Sequence, residues 1–278
     1  MNKKVGGIIL CLFFLNILSW SIVFYFHNSY LEVVFFDVNQ GDAIFIETPS
    51  KNQILIDGGP SRQRIIEKLN QEMPFWDKTI DLIVLTHTDK DHINGLIQVL
   101  KEYEVKNIIW TGIGENQEWN DLIQKQEANV YELRKGSKIV FSNVFFETLY
   151  PDKGDNFPES NDSSLVLKMD YLESSFLFTG DITSKKENLI NNDIDVLKVA
   201  HHGSSYSTSE DFLKVTTPEL AIIQVGNNSY GHPSEEVLTR LRNFDIKILR
   251  TDINGDIKII SDGKKLKIIS KKYEFSNL

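Results

Sequence analysis

Four side chains able to hold metal fall within residues 85–95, LTHTDKDHING: His87, Asp89, Asp91 and His92. His87 and Asp89 are two apart and Asp91 and His92 are adjacent, a spacing that suits two neighbouring metal ions rather than the one bound by two His four apart on a helix. The apolar run before them, Leu82-Ile83-Val84-Leu85, predicts a short buried strand. Residues 94–100 predict the first turns of a helix. A tight turn between strand and helix can aim several side chains into one pocket, which a regular helix or strand cannot do. The competing reading is a charged surface turn in which Asp89 or Asp91 caps the following helix. It is weakened by further His and Asp at strand ends later in the chain.

Asp181 follows Phe176-Leu177-Phe178-Thr179-Gly180, a buried strand ending in a glycine turn. A carboxylate there can bridge two metals, although Gly-Asp is equally common in ordinary turns. His201 and His202 follow a strand over 196–200 and precede Gly203-Ser204-Ser205. Two consecutive histidines rarely both face a core, so one is expected to ligate metal and the other to hydrogen-bond substrate or a ligand. His232, in Tyr230-Gly231-His232-Pro233, lies on another strand-to-helix loop and is assigned to substrate or leaving-group contact, a surface histidine being the alternative.

The elements that must position these groups fit one large α/β domain, since 278 residues leave little room for two domains plus a membrane segment. Hydrophobic content of 41% and charged content of 25% are ordinary for a globular chain. A net charge of −9 argues against a generally basic, phosphate-gripping surface. Cys11 is the single cysteine, which excludes an intrachain disulfide and a thiolate metal site. Metal must then be held by His, Asp, Asn or water.

Residues 5–26 form an apolar run that as a helix spans roughly 33 Å, enough to cross a bilayer core. Trp20 and Tyr25 suit an interfacial belt near its outer end. The alternative is a cleaved signal peptide, but its core would be shorter and no small-residue cleavage site stands out. Lysines precede the run and acids follow it, so residues 1–4 are expected in the cytoplasm and the domain over 30–278 outside, on a single-pass anchor.

Within that domain, strands are predicted over 31–37, 43–48 and 53–56, then a helix over 62–70 and the strand leading to the metal turn. A strand over 107–110 and a helix over 119–126 come next. A second run of strands follows over 138–141, 144–150, 164–170 and 174–179, then a helix over 184–190 and the strand before the paired histidines. Alternating helix and strand continue to residue 250, and two strands close the chain. Strand clusters followed by alternating helix and strand suggest two sheets between helices. Residues 152–163 are a polar, acidic loop, expected to be a mobile rim.

THTDKDH resembles the HxHxDH motif of the metallo-β-lactamase superfamily. With Asp in third place it is similar to the hydrolase domain at the C-terminal end of ComEC competence proteins. FFDVNQGDAIFIET, ILIDGG, FLFTGDI, VLKVAHHGSSYS, AIIQVGNNSYGHPS and ILRTDINGDIKI follow that subgroup in order, so the resemblance runs over about 31–269. It implies an αββα four-layer sandwich behind the N-terminal transmembrane helix. It also implies that Asp181 bridges the metals and that one of the paired histidines ligates, His201 being favoured. Asp57 and Asp42 would lie in an outer shell beneath the metals. Asn39 stands where DVGQGD has its first Gly, and Asn tolerates the positive φ such a turn needs.

Two departures from the wider superfamily bear on the metal. Asp89 replaces a His, and no His lies between His92 and Asp181, where Asn161 or Ser163 stands instead. An oxygen-rich site of this kind shifts preference from Zn²⁺ towards Mn²⁺. His87, Asp89 and His201 are expected to form one site, and Asp91 and His92 with His202 or His201 the other. The expected activity is two-metal hydrolysis of a phosphodiester, DNA being the candidate substrate. The alternatives are a phosphoesterase acting on an envelope or small-molecule phosphodiester, and a non-catalytic binding module that keeps the fold.

Overall fold

The computed structural model describes residues 3–27, 30–155, 157, 160–271 and 274–276. Met1 and Asn2 of the expected cytoplasmic segment, and 156, 158 and 159 of the acidic loop, lie outside the described residues.

The chain opens with helix α1 (Lys3–His27), followed by strands β1 (Leu31–Phe35), β2 (Ile44–Glu47) and β3 (Gln53–Ile56) and helix α2 (Arg62–Glu72). Next come β4 (Thr79–Ile80), β5 (Leu82–Val84), α3 (Lys90–Glu102), β6 (Glu104–Val105), β7 (Asn107–Trp110), α4 (Gln117–Lys125) and β8 (Asn129–Glu132). The second half holds β9 (Lys138–Phe141), β10 (Val144–Tyr150), β11 (Val166–Tyr171), β12 (Ser174–Phe178), α5 (Ser184–Glu187) and β13 (Val196–Lys198). It continues through α6 (Glu210–Thr216), β14 (Leu220–Ile223), α7 (Glu235–Asn243), β15 (Lys247–Arg250) and α8 (Thr251–Asn254). Strands β16 (Ile257–Ser261), β17 (Leu266–Ser270) and β18 (Glu274–Ser276) end the described elements.

Among the described residues, nine strands form one sheet in the order β18-β17-β16-β1-β2-β3-β5-β7-β8, and seven form a second in the order β15-β14-β13-β12-β11-β10-β9. Alternation along β1 shows how the layers form. Val33 and Phe35 point between the sheets, where they pack with Phe176 and Phe178 of β12. Val34 and Phe36 point the other way and pack with Ile65 and Leu69 of α2 and Leu96 of α3. On the far face of the second sheet, Leu197 and Ile223 pack with Phe212 of α6 and Leu241 of α7. Strands buried on both faces must be apolar throughout, which is why these stretches are near-continuous hydrophobic runs. The result is the four-layer αββα sandwich that the sequence implies.

Strands β3 and β5 are parallel neighbours in one sheet, and β12 and β13 in the other. The residues directly beyond their C-terminal ends bring Asp57, His87, Asp181 and His202 to one edge of the sandwich. Open parallel sheets present ligand sites at that edge. Helix α1 is apolar on all sides, and its Lys4–Val23 stretch, none of it buried in the protein, is long and apolar enough to cross a membrane.

Strand β8 escapes sequence reasoning because Asn129-Val130-Tyr131-Glu132 is exposed at every position and lies at a sheet edge, so it lacks a buried face to set a pattern. Helix α5 ends at Glu187, one turn long rather than running to 190.

Candidate metal centre

Asp57 organises the site. It leaves β3 with φ +57, and its Oδ1 accepts the Thr86 N–H at 2.8 Å while its Oδ2 accepts the Thr86 hydroxyl at 2.6 Å. The same Oδ2 lies 2.8 Å from His92 Nδ1. The following turn must press against α3: a Cβ on Gly95 would stand 1.8 Å from the Gly58 oxygen, and one on Gly58 would stand 2.3 Å from the Leu96 nitrogen. Only glycine at both positions lets the helix approach closely enough to seat His92 on Asp57.

The hydrogens on the histidines follow from these bonds. Because the Thr86 hydroxyl donates to Asp57, it can only accept from His87 Nδ1, 3.0 Å away. The Asp57 carboxylate accepts from His92 Nδ1, and the Gln224 carbonyl accepts from His202 Nδ1 at 2.8 Å. Each ring is therefore fixed through Nδ1 and directs Nε2 inward. All three Nε2 atoms are buried and have no hydrogen-bond partner. Outer-shell bonds of this type orient imidazoles for metal.

Carboxylates meet those nitrogens. Asp181 Oδ2 lies 3.3 Å from His92 Nε2 and 3.4 Å from His202 Nε2, and Asp91 Oδ2 lies 3.3 Å from His202 Nε2. Ligand-bearing atoms of His87, His92 and Asp181 cluster within 4.8 Å, as do those of Asp91, His92 and His202. Three buried nitrogens without partners, facing two carboxylates, fit divalent cations. Asp89 occupies the N-cap position of α3 without capping it. Its Oδ1 instead accepts from Ser160 Oγ at 2.6 Å, and its Oδ2 lies 3.7 Å from His87 Nε2.

The structure gathers His202 into these clusters, not the favoured His201, which joins none formed by the described residues. The reason is backbone geometry. His201 and His202 have φ of +50 and +54, a pair of left-handed residues that turns the chain back, and only the second ring is fully buried. The His201 ring stands 5.3 Å from that of His232, with Asn161 Nδ2 3.4 Å from its Nε2. Asn161 thus lines the mouth beside His201. Ser163 makes a local bond to Ser160 O, and Ser164 Oγ accepts the Asp181 N–H at 3.0 Å. Asn39 adopts φ +69, as its place in the turn requires.

Asp42 is buried beneath the ligands, and its partner is Lys198, whose ammonium forms an ion pair with it. Lys198 Nζ also donates to the Gly180 carbonyl at 3.0 Å and lies 3.4 Å from Asp181 Oδ1. Sequence reasoning missed this lysine. Its signal was a lone cation inside the apolar run Val196-Leu197-Lys198-Val199-Ala200. It also missed Gln224, whose amide donates to the Phe36 and Ala43 carbonyls and so ties β14 to the turn that carries Asp42.

Charge coupling in the site is strong. Burial alone would lower the His202 pKa, but Asp181 and Asp42 override it and push it up to about 10. Burial opposes protonation of His92 too, and Asp181 and Asp57 still raise its pKa well above the ordinary value. Burial would raise the Asp181 pKa, yet the His202, His92 and Lys198 charges hold it well below the usual carboxylate range. His232 goes the other way: burial, then the nearby histidine charges, lower it to about 4. Its ring is neutral at physiological pH, and its buried Nδ1 has no partner. Asn228 holds the loop by accepting the His232 N–H at 3.0 Å and donating to its carbonyl at 2.8 Å.

A family model described as the metallo-β-lactamase superfamily matches residues 36–226. The chain is 32% identical over 253 residues to ComE operon protein 3 of Bacillus subtilis, covering 82% of this chain and 32% of that protein. It is 24% identical over 171 residues to exodeoxyribonuclease WalJ of Streptococcus pneumoniae, covering 58% of this chain and 62% of that one. This chain thus spans about a third of the length of its ComEC-type relative. Among solved structures, the metallo-β-lactamase fold protein YhfI from Bacillus subtilis superposes with a TM-score of 0.60 at 11% identity, covering 84% of this chain and all of that one.

Proposed function

The chain belongs to the metallo-β-lactamase superfamily, and from that premise we propose that it is a metal-dependent phosphodiesterase, nuclease-like and acting on DNA, held at a membrane by α1 with its domain outside the cytoplasm. The coarser part is plain: it is a metal-dependent hydrolase related to the ComEC competence proteins. The observation that carries the metal-dependent reading is the set of three buried Nε2 atoms without partners facing Asp91 and Asp181. That set favours a metal-loaded site over a module that has lost its metals.

Asp91, His92, His202 and Asp181 would hold one ion, and His87, Asp89 and Asp181 the other. Divalent ions held there supply Lewis-acid charge and lower the pKa of water. The protein's part is to keep the ligands in register. Asp57, Thr86 and the Gln224 carbonyl fix the three rings, and Lys198 draws Asp181 Oδ1 away so that Oδ2 faces the histidines. Asn161, His201 and His232 line the mouth. The neutral His232 ring suits donation of a hydrogen bond to a phosphoryl oxygen or a leaving group. DNA as substrate is supported by the name of the WalJ relative, an exodeoxyribonuclease. Anchoring is supported by the length and composition of α1.

The second ion has the poorer donor set, one imidazole and two carboxylates, which favours Mn²⁺ over Zn²⁺. Metal-stripped protein reloaded with Mn²⁺ should cleave a DNA oligonucleotide and a generic phosphodiester faster than protein given equimolar Zn²⁺. Asp89→His should narrow the difference. Equal or greater activity with zinc would refute the metal preference, and cleavage of the generic ester alone would refute DNA as substrate.

A further inference from the structure

The end of the sandwich opposite the metal centre carries an apolar surface that the hydrolase reading does not use. Phe75 and Trp76 are 82% and 73% exposed, and Leu172 is 65% exposed. Exposed large apolar side chains grouped at one end of a protein mark a contact surface.

Strand register places them at the same end. Leu31, the first residue of β1, pairs with Ser261 at the start of the β16–β17 hairpin. That hairpin accepts Leu172: the Glu173 N–H donates to the Gly263 carbonyl at 2.8 Å, and a Cβ on Gly263 would meet the Leu172 side chain. Glu32 pairs with Glu47, and Glu47 with Gln53. Gln53 in turn donates from Nε2 to Asp77 at 2.9 Å, next to Trp76. Leu31, Leu172 and the Phe75-Trp76 pair therefore lie at one end of the two sheets. The strands β3, β5 and β12 run away from this end towards Asp57, His87 and Asp181.

The aromatic pair is held ready. Its rings meet edge to face at 4.8 Å, on a turn closed by the Asp77 N–H donating to the Pro74 carbonyl at 2.9 Å. Exposed charges at this end have both signs, with Lys78 and Lys106 beside Glu104 near the aromatic turn, and Lys264 and Lys265 beside Glu173 and Asp262 at the hairpin. No strong electrostatic preference competes with the apolar one.

Chain length identifies the partner. Helix α1 ends at His27 and β1 begins at Leu31, so even a fully extended connection spans no more than about 14 Å. If α1 crosses a bilayer, this end of the domain cannot leave the bilayer surface. Tryptophan favours that interface, and phenylalanine and leucine bury apolar surface in it. We propose that the Phe75-Trp76 turn, with Leu172 beside the hairpin, seats on the outer surface of the membrane that holds α1. The metal centre then opens away from the bilayer, separated from it by the strands themselves, roughly 13 Å along β3 plus the loops. Its substrate comes from the aqueous side, and membrane-lipid headgroups are out of reach. This inference rests on the anchor reading of α1.

The test uses the full chain in vesicles of phosphatidylethanolamine and phosphatidylglycerol. A benzoylphenylalanine photo-cross-linker replaces Phe75 in one variant and the exposed Tyr230, at the metal end, in another. The expected result is lipid adduct from position 75 and none from position 230, with Phe75→Asp/Trp76→Asp leaving phosphodiester hydrolysis unchanged. Alkaline carbonate extraction separates the two ways of failing. If the chain resists extraction but position 75 yields only protein adducts or none, the docking surface is wrong and the anchor stands. If carbonate releases the chain, the anchor reading fails and the docking surface falls with it.

Discussion

Asp57 Oδ2 and His92 Nδ1 stand 2.8 Å apart, beneath the point where the ligand atoms converge. The carboxylate fixes the ring tautomer and increases the basicity of the inward nitrogen. Asp57→Asn keeps the shape but replaces the charged acceptor by an amide. Metal affinity should fall by about 10- to 100-fold, the usual effect of losing an outer-shell partner. Titration with a chromophoric chelator as competitor would measure it, and unchanged affinity would show that Asp57 serves the fold alone.

Lys198 is the only cation facing Asp42 and Asp181 besides the histidines among the described residues. Lys198→Met leaves two buried carboxylates without it. Removing one partner of a buried pair costs about 3–5 kcal/mol, so the metal-free variant should show a markedly lower Tm than metal-free wild type. Metal should restore part of the loss, because it supplies positive charge to Asp181. A metal-free Tm equal to wild type would mean the ammonium is not needed to hold the carboxylates.

The pair His201 and His202 offers a sharper contrast. His202→Ala should lower metal content and abolish hydrolysis, because it removes a clustered Nε2. His201→Ala should keep the metal and change turnover or KM instead. Elemental analysis of both variants decides between them, and loss of metal from His201→Ala alone would reverse the assignment.

Much of this was legible in the sequence, for identifiable reasons. The metal turn and Gly180-Asp181 follow apolar strands, and a buried strand ending in ligands is a strong local signal. Which of the paired histidines turns inward was not legible, because it depends on two left-handed φ values that no spacing encodes. Lys198 and Gln224 were hidden for a related reason. Their roles come from partners in the other sheet, Asp42 and the 36–43 turn, and only the packing of the two sheets brings them together. Phe75 and Trp76 lie outside every predicted element, and only the strand register shows which end they share with Leu31.

Protons and metal compete for the same nitrogens. The folded pKa of His202, about 10, lies above its ordinary value of 6.5. Protonation thus stabilises the metal-free fold fully below that ordinary value, and the contribution is lost as pH rises through about 10. Metal requires the neutral ring, so binding expels protons and affinity should climb as pH rises towards about 10. Calorimetry in buffers of different ionisation enthalpy would count the protons released. Binding with no proton release would contradict the coupling of His202 to Asp181 and Asp42.

The most direct measurement is hydrolysis of a phosphodiester by metal-stripped protein before and after Mn²⁺ is restored, in wild type and in Asp181→Ala. Asp181 faces both His92 and His202 and is assigned to both ion sites, so the two-metal arrangement depends on it. The expected result is no hydrolysis without metal, recovery with Mn²⁺ in wild type, and no recovery in Asp181→Ala together with reduced metal content. Near wild-type hydrolysis by Asp181→Ala, or hydrolysis by stripped wild type without metal, would contradict the account.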